Sequence, residues 1–247
     1  MSTKAVHESE ISKAAVVKGQ VLMVATSCDK FSDGTPTGLW ISELADPFYT
    51  FKSQGYDVTI ASPKGGAVPI DPTSQGQEAM TPEAHRFVGD AEASQQLKSS
   101  VPLSSVKQAS SYDCIYLPGG HGPVFDLAED QTLARLLSEA FGAGKVVAAV
   151  CHGPAGLLSA KDPKSGKALV AGRKVTSFTT EEEKAVGKDG KVPYLLDARL
   201  AEAGAHFTRG PAWGVHVETD GGLVTGQNPA SAAAVAEAAL RVMAGSS

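Results

Sequence analysis

The stretch Lys145-Val-Val-Ala-Ala-Val-Cys151-His152-Gly153-Pro-Ala-Gly156 decides the fold. A short apolar run with β-branched residues ends at Cys151, and small residues suited to a helix follow it. This order is typical of a buried parallel strand that runs into a sharp strand-to-helix turn. Such a turn raises the thiol above the sheet edge, near helix N-terminal amides that favour a thiolate, and His152 adds a neighbouring cation or base. We therefore predict that Cys151 is a catalytic nucleophile, although a buried cysteine that ends a core strand fits the same run.

Composition narrows the class of protein. The 247 residues, 42% of them hydrophobic, suffice for one large α/β domain or two small ones. The net charge of -5, without a basic block, argues against nucleic-acid binding. Three scattered cysteines (Cys28, Cys114 and Cys151) suit a reducing compartment better than a disulfide framework. No apolar run reaches the roughly 18 residues that a membrane span needs. We expect a cytoplasmic protein that binds neither nucleic acid nor membranes.

Strand-like and helical patterns alternate along the chain. Repeated strand–helix units predict an α/β fold, a doubly wound and mostly parallel sheet with helices on both faces. Residues 1–18 are polar and are expected to form a short flexible lead-in, and residues 19–247 a single domain. Predicted strands cover residues 21–25, 57–62 and 112–117, the run that ends at Cys151, and residues 175–178, with a hairpin within 215–224.

Prolines are predicted to interrupt helical structure in two parts of the chain. Pro47 should kink or split the first helix, because a proline in a helix interior removes a hydrogen bond. Residues 67–100 contain three prolines and are predicted to be a loop-rich insertion over the sheet. Predicted helices cover residues 39–54, 126–141, 194–203 and 231–243, with a further helix opening near Glu181.

Two glycines follow a predicted strand at the edge where ligands of doubly wound sheets bind. Gly119 and Gly120 can offer unhindered backbone amides beside Cys151 and, with the amide of His152, form an oxyanion hole. The same glycines also fit a tight turn that needs their backbone angles. The next residue, His121, is interpreted as a loop histidine.

Carboxylates in two places can complete the site. Glu43 lies in the first predicted helix, where a carboxylate is usually solvated; buried against the thiol, it would be protonated and could donate a hydrogen bond to sulfur. Glu181, Glu182 and Glu183 follow a predicted strand and suit a solvated helix start. One of the three can instead orient the imidazole of His152 and complete a Cys-His-Glu triad.

A second imidazole–carboxylate pair lies elsewhere in the chain. His216 and Glu218 occupy one face of a predicted strand, and we interpret them as a surface pair. No two histidines stand at helix spacing and no Cys-x-x-Cys occurs, so no metal site is predicted.

Several segments together resemble a known family. Tyr116-Leu-Pro-Gly-Gly-His-Gly122 and Ala149-Val-Cys-His-Gly-Pro-Ala155 are similar to the PfpI-type superfamily, which includes the parkinsonism-associated deglycase and is related to class I glutamine amidotransferases. The resemblance runs from about residue 21 to 243 and implies a flavodoxin-like fold and a homodimer. The segments that resemble its glyoxalase III branch, which includes heat-shock chaperone-like members, are residues 37–48, 61–71 and 223–231.

The resemblance also implies roles for residues. Cys151 matches the nucleophile, His152 the base and Glu43 the carboxyl bonded to the thiol. Glu183 matches the third triad member, although a short register slip would substitute one of the two glutamates before it.

The branch implies glutathione-independent conversion of methylglyoxal, a small 2-oxoaldehyde, to D-lactate without an organic cofactor or metal. Two other hypotheses are a deglycase acting on glycated protein or nucleotide adducts, and a stress-response holdase chaperone with Cys151 as an oxidation sensor. A cysteine peptidase or an amidotransferase ranks lower.

Overall fold

The computed structural model describes residues 17–245, and a single large sheet organises them. The strands are β1 (Gly19–Val24), β2 (Tyr56–Ser62), β3 (Val101–Pro102), β4 (Cys114–Leu117), β5 (Val146–Val150), β6 (Lys174–Val175), β7 (His206–Phe207), β8 (Val217–Asp220) and β9 (Leu223–Gly226). Seven of these strands form the sheet in the order β3-β2-β1-β4-β5-β9-β8, and β6 and β7 form a separate pair. Only β8 runs antiparallel to its neighbour in the described sheet.

Helices cover both faces of the sheet, so the predicted doubly wound α/β class is confirmed. One hydrophobic cluster joins alternate residues of the central strands to the helices Ile41–Ser53 and Ala232–Gly245, and the other joins the remaining strand residues to the helices Gln131–Gly142 and Leu196–Glu202. Strand β5 is buried along its whole length, as a central parallel strand must be. The helices are α1 (Ile41–Ser53), α2 (Pro82–Gly89), α3 (Ala91–Lys98), α4 (Pro123–Asp126), α5 (Gln131–Gly142), α6 (Thr180–Ala185), α7 (Leu196–Glu202) and α8 (Ala232–Gly245).

Pro47 was predicted to kink or split the first helix, and the prediction of a split is wrong. Pro47 lies inside the single helix α1. This helix buries Leu44, Phe48 and Phe51 in the same cluster as α8. Burial of these side chains outweighs the roughly 3 kcal/mol that an interior proline costs.

The prediction of a loop-rich insertion over residues 67–100 is also wrong, because α2 and α3 lie within it. Pro82 occupies the first turn of α2, where a proline costs no hydrogen bond, and the Thr81 side chain caps that helix. The Asp90 side chain accepts hydrogen bonds from the first amides of α3. Thr81, Pro82 and Asp90 are therefore helix-start signals. The prolines of this segment had instead been interpreted as loop signals.

The ends of three further predicted segments can be compared with the structure. The predicted helix 126–141 begins too early: Asp126 is the last residue of α4, and the helix that follows, α5, starts only after its cap at Asp130. The predicted strand 175–178 pairs only over Lys174–Val175, whereas the predicted hairpin is confirmed as β8 and β9. Residues 1–16 of the predicted lead-in, and residues 246–247, lie outside the described part of the chain. Within the part described, no helix is long and apolar enough to cross a bilayer.

Candidate active site

Cys151 stands on a strained turn directly after β5. Its φ of 59° lies in the left-handed region, which costs a residue with a Cβ roughly 1–2 kcal/mol. Hydrogen bonds to two neighbouring segments hold it there: its amide donates to the Gly226 carbonyl at 3.0 Å, and its carbonyl accepts from the Phe178 amide at 2.9 Å. A 3-10 turn starts at Gly153. The chain therefore forms the sharp turn that the sequence predicts.

Cys151, His152 and Glu183 form a continuous hydrogen-bonded series. The Cys151 sulfur lies 3.3 Å from Nδ1 of His152, and Nε2 of the same ring lies 2.7 Å from Oε2 of Glu183. All three side chains are buried. Glu183 is placed by the first turn of α6, which the Thr179 side chain and Glu182 close as a capping box.

The hydrogen bond to Glu183 determines which ring nitrogen of His152 carries a proton. Burial alone would raise the pKa of Glu183, but hydrogen bonds from His121 and His152 outweigh burial and lower it to about 2. An ionised carboxylate can only accept, so Nε2 of His152 carries a proton and Nδ1 presents its lone pair to the thiol. Burial, and then the neighbouring His121, lowers the pKa of His152, although Glu183 opposes them. The ring is thus a neutral base directed at sulfur.

Glu43 reaches the same point from α1. It is fully buried, and its Oε2 accepts the Gly119 amide at 2.7 Å. Burial raises the pKa of Glu43 to about 8, even though hydrogen bonds with Cys151 and Gly119 oppose this rise. The carboxyl is therefore mostly protonated at neutral pH, and its Oε1, which is buried without a hydrogen-bond partner among the described residues, is the oxygen that can carry the proton.

The surroundings of the Cys151 thiol oppose the resting thiolate that the sequence predicts. Burial raises the pKa of the Cys151 thiol well above its ordinary value, and the charge of an ionised Glu43 raises it further. Only the Gly120 amide lowers it among the main influences. The turn after Cys151 is a short 3-10 segment, so few aligned amides favour an anion. Burial therefore works against a resting thiolate at Cys151.

The two glycines of the predicted oxyanion hole differ in role. Gly119 cannot offer its amide, because that amide already donates to Glu43. Gly120 interacts with Cys151 through its amide, so Gly120 and His152 remain as donors. Gly120 also has a φ of 84° and would place a Cβ 2.1 Å from the Gly38 carbonyl oxygen, so the turn interpretation is correct as well.

The structure distinguishes the three consecutive glutamates. Glu181 is exposed and pairs with Arg209 at 3.3 Å. Glu182 is fully buried but binds the loop at Trp213 instead of His152. Of the three, Glu183 is the one in contact with the imidazole.

His121 was missed by the interpretation as a loop histidine. Its Nε2 lies 2.7 Å from Oε1 of Glu183, and its ring centroid lies 4.3 Å from that of His152. The ring is only 7% exposed. The signal in the sequence was its position after Gly119–Gly120, because β4 and β5 are neighbours and their carboxyl ends meet.

The second imidazole–carboxylate pair lies apart from this series. His216 and Glu218 are 3.3 Å apart, half-buried, and share Thr208 as a partner. They hydrogen bond to neither Cys151 nor His152, as the interpretation of a surface pair requires.

The predicted absence of a metal site stays a prediction. The ligand atoms of His121, His152 and Glu183 lie within 4.8 Å of one another and could hold a divalent ion. An ion bound through both Nε2 atoms would have to replace the two 2.7 Å hydrogen bonds to Glu183.

A cavity of about 830 Å³ lies beside the site. Trp40, whose amide donates to the Gly119 carbonyl, and Trp213 are among its walls. The Trp213 ring packs at 5.7 Å on Phe178, which in turn packs at 4.7 Å on His152. Cys151 and His152 do not line this cavity, and the Phe178 ring lies between its Trp213 wall and His152.

Comparison with known proteins gives a consistent result. The model of the DJ-1/PfpI family matches residues 38–242. Glyoxalase 3 of Candida albicans is 32% identical over 230 residues, which cover 88% of this chain and 95% of that protein. The glutathione-independent glyoxalase HSP31 of Saccharomyces cerevisiae is 32% identical, covering 86% and 93%. The crystal structure of glyoxalase III from Candida albicans superimposes with a TM-score of 0.83 at 31% identity, covering 91% of this chain and 97% of that one.

Proposed function

The chain belongs to the DJ-1/PfpI family, and from this we propose that it is a glutathione-independent glyoxalase that converts methylglyoxal to D-lactate. The observation that carries the proposal is the buried series of Cys151, His152 and Glu183, with Glu43 beside the sulfur. In enzyme classification this activity is that of a D-lactate dehydratase, a hydro-lyase. A small 2-oxoaldehyde is the substrate, and the homodimer stays a prediction.

The first step is addition of the thiol to the aldehyde carbon. Nδ1 of His152, 3.3 Å from the sulfur, takes the thiol proton as the carbon–sulfur bond forms. The amides of Gly120 and His152 stabilise the negative oxygen, which then receives a proton from the imidazolium. The product is a hemithioacetal on Cys151.

The second step moves a hydrogen between the two substrate carbons. His152 removes the proton from the former aldehyde carbon and gives an enediol, and a proton is returned to the neighbouring carbon. Delivery to one face of the enediol sets the D configuration. Glu183 stabilises the imidazolium during the transfer, since Oε2 accepts its Nε2 proton at 2.7 Å.

The third step is hydrolysis. Transfer of the hydrogen leaves a lactoyl thioester on Cys151. Water attacks the thioester carbonyl, with His152 as general base, and releases D-lactate and the free thiol. The sum is methylglyoxal plus water to D-lactate, so no external oxidant or reductant is consumed.

The test is to incubate the protein with methylglyoxal without glutathione and to measure D-lactate with a stereospecific assay. Cys151→Ala should lose activity by at least about 10³-fold. Cys28→Ala is the matched control, because Cys28 is half-buried outside the site, and it should keep full activity. Absence of D-lactate from the wild type, or full activity in Cys151→Ala, would reject the proposal.

One observation favours the deglycase as a second candidate. The cavity of about 830 Å³ walled by Trp40 and Trp213 is much larger than a three-carbon aldehyde requires. A stable adduct, purified free of methylglyoxal, distinguishes the two activities, because free aldehyde consumption cannot imitate repair of it. Suppression of client aggregation that persists in Cys151→Ala would indicate the holdase activity instead.

A further inference from the structure

The cavity walled by Trp40 and Trp213 has no part in the catalytic steps above. Its volume of about 830 Å³ lies within the range of pockets that bind small molecules. The chain contains two tryptophans, and both line this cavity. The other residues of the lining indicate which class of ligand these two rings suit.

The charged groups of the cavity lining are acidic. They are Asp46 and Glu78, and the lining includes no lysine, arginine or histidine. Neither carboxylate forms an ion pair within residues 17–245. The cavity therefore presents negative charge that no protein cation compensates, which favours a cationic ligand and repels an anionic one.

Asp46 has one carboxylate oxygen available to a ligand. Its Oδ1 accepts the Thr81 hydroxyl, whereas its Oδ2 has no hydrogen bond from any described residue. Burial raises the pKa of Asp46 to about 6, although the Thr81 bond opposes this rise, so the group is mostly ionised at neutral pH. A half-buried carboxylate without a cationic partner is unfavourable, and a bound cation would remove that cost.

Ser42 offers a second polar group on the same helix face. It precedes Asp46 by four residues in α1, and side chains at this spacing are neighbours. Ser42 is only 2% exposed and lines the cavity. Its hydroxyl has no hydrogen-bond partner in the part of the chain that the structure describes. Buried hydroxyls without partners are uncommon in folded proteins, so this group is explained by a ligand that bonds to it.

Trp213 is held at the cavity wall in a strained conformation. Its φ of 63° lies in the left-handed region, which is unfavourable for a bulky residue. The amide of Trp213 donates to the buried Glu182 at 2.9 Å, and its ring packs at 5.7 Å on Phe178. The side chain nevertheless stays 48% exposed. An indole face attracts cations electrostatically, so this exposed ring suits the same ligand as the two carboxylates.

We propose that the cavity walled by Trp40 and Trp213 binds an organic cation carried on an aliphatic chain, such as the ammonium group of a lysine side chain. The ammonium donates to Oδ2 of Asp46 and to the Ser42 hydroxyl, and the aliphatic chain packs on the indole rings. A hydrated inorganic cation gains nothing from these apolar walls. Binding forms and breaks no covalent bond.

Titration of the full-length wild-type protein with Nα-acetyl-lysine N-methylamide tests the inference. Tryptophan fluorescence reports on this cavity alone, because both tryptophans line it, and isothermal titration calorimetry is the second readout. At about pH 7.5 and low ionic strength, the expected dissociation constant is about 1–10 mM. The matching norleucine derivative lacks the ammonium and should bind at least about tenfold more weakly.

The source of the cation is distinguished by n-butylammonium, which has the same side chain without the peptide groups. Equal affinity for the two probes would indicate a small free amine, and tighter binding of the lysine derivative would indicate a polypeptide. Either result supports a site for organic cations.

Variants of the lining assign the contacts. Asp46→Asn keeps an acceptor for Thr81 but removes the charge, and should weaken binding about tenfold or more. Asp189→Asn is the matched control, because Asp189 is exposed outside the cavity, and it should bind within about twofold of the wild type. Trp213→Leu should bind about two- to fivefold more weakly, with Trp40 as the remaining reporter. Should Asp46→Asn not fold, Ser42→Ala gives the same test.

Three results would overturn the inference. They are equal affinity for the lysine and norleucine derivatives, wild-type affinity in Asp46→Asn, and neither a fluorescence change nor heat up to about 50 mM lysine derivative. These measurements contain no methylglyoxal, so the inference and the proposed glyoxalase activity can fail independently.

Discussion

The side chain of Glu43 is bonded to the backbone of Gly119, with Oε2 2.7 Å from the amide nitrogen. This contact joins α1 to the segment after β4, at the point where Cys151 leaves β5. A Cβ on Gly119 would lie 2.7 Å from the same Oε2 and 2.9 Å from the Cys151 Cβ. The glycine is therefore required for the carboxyl to approach the sulfur, and its amide is not available to substrate.

Glu43→Gln should change how stability depends on pH. The pKa of Glu43 is raised from 4.5 to about 8, so its stabilising protonated form is fully present below about pH 4.5 and is lost as the pH rises through about 8. The variant has no such loss. Relative to the wild type, it should gain about 2–3 kcal/mol of unfolding free energy between about pH 5 and about pH 7. Urea unfolding at both pH values measures the gain, and parallel behaviour of the two proteins would contradict it. Asp46 titrates in both proteins, so its contribution cancels from the difference in unfolding free energy.

Glu183→Gln should reduce kcat about 10³- to 10⁴-fold, because an amide no longer holds His152 in the reactive tautomer or stabilises its imidazolium. Glu181→Gln is the matched control, since Glu181 is exposed and only pairs with Arg209. Its activity should equal that of the wild type. The assay is D-lactate formation at saturating methylglyoxal. Activity of Glu183→Gln within about tenfold of the wild type would show that Glu183 has no part in the triad.

Glu182→Ala should destabilise the fold by about 3–5 kcal/mol, because it leaves several buried hydrogen-bond donors without the carboxylate that accepts from all of them. Urea unfolding measures the loss, with Glu181→Ala as a surface control expected within about 0.5 kcal/mol of the wild type. Equal stability of the two variants would be the contrary result. The groups that donate to Glu182 are the amide and hydroxyl of Thr179, the Trp213 amide, and the side chains of Gln227 and Asn228.

Cys151→Gly should be about 1 kcal/mol more stable than Cys151→Ala, because glycine adopts a φ of 59° without the strain that a Cβ causes. Both variants lack the thiol, so the comparison isolates the backbone. At Ala198, inside α7, the change Ala198→Gly should instead lose about 1 kcal/mol. Chemical denaturation of the four proteins provides the values. A Cys151→Gly variant less stable than Cys151→Ala would mean that the turn stores no strain.

Much of the fold could be predicted because its signals are local. The apolar run before Cys151 marks a strand buried on both faces, and the two residues after it mark the turn. Prolines were the exception. Pro47 and Pro82 were interpreted as helix breakers or loop signals, yet one lies inside α1 and the other opens α2. Whether a proline ends a helix depends on packing and on its position in the helix, and neither is visible in a short window of sequence.

The parallel sheet, the sharp turn and the adjacency of Cys151 and His152 were predictable from the sequence, because alternation, apolar runs and adjacency are properties of neighbouring residues. Which of the three consecutive glutamates meets the imidazole depends instead on how the chain packs. Successive residues of a helix point about 100° apart, so the docking of α6 directs Glu183 inward and Glu181 to solvent. The contact of His121 with that carboxylate and the burial of the Cys151 thiol also follow from the folded structure. Both depend on burial and on contacts between segments far apart in the chain.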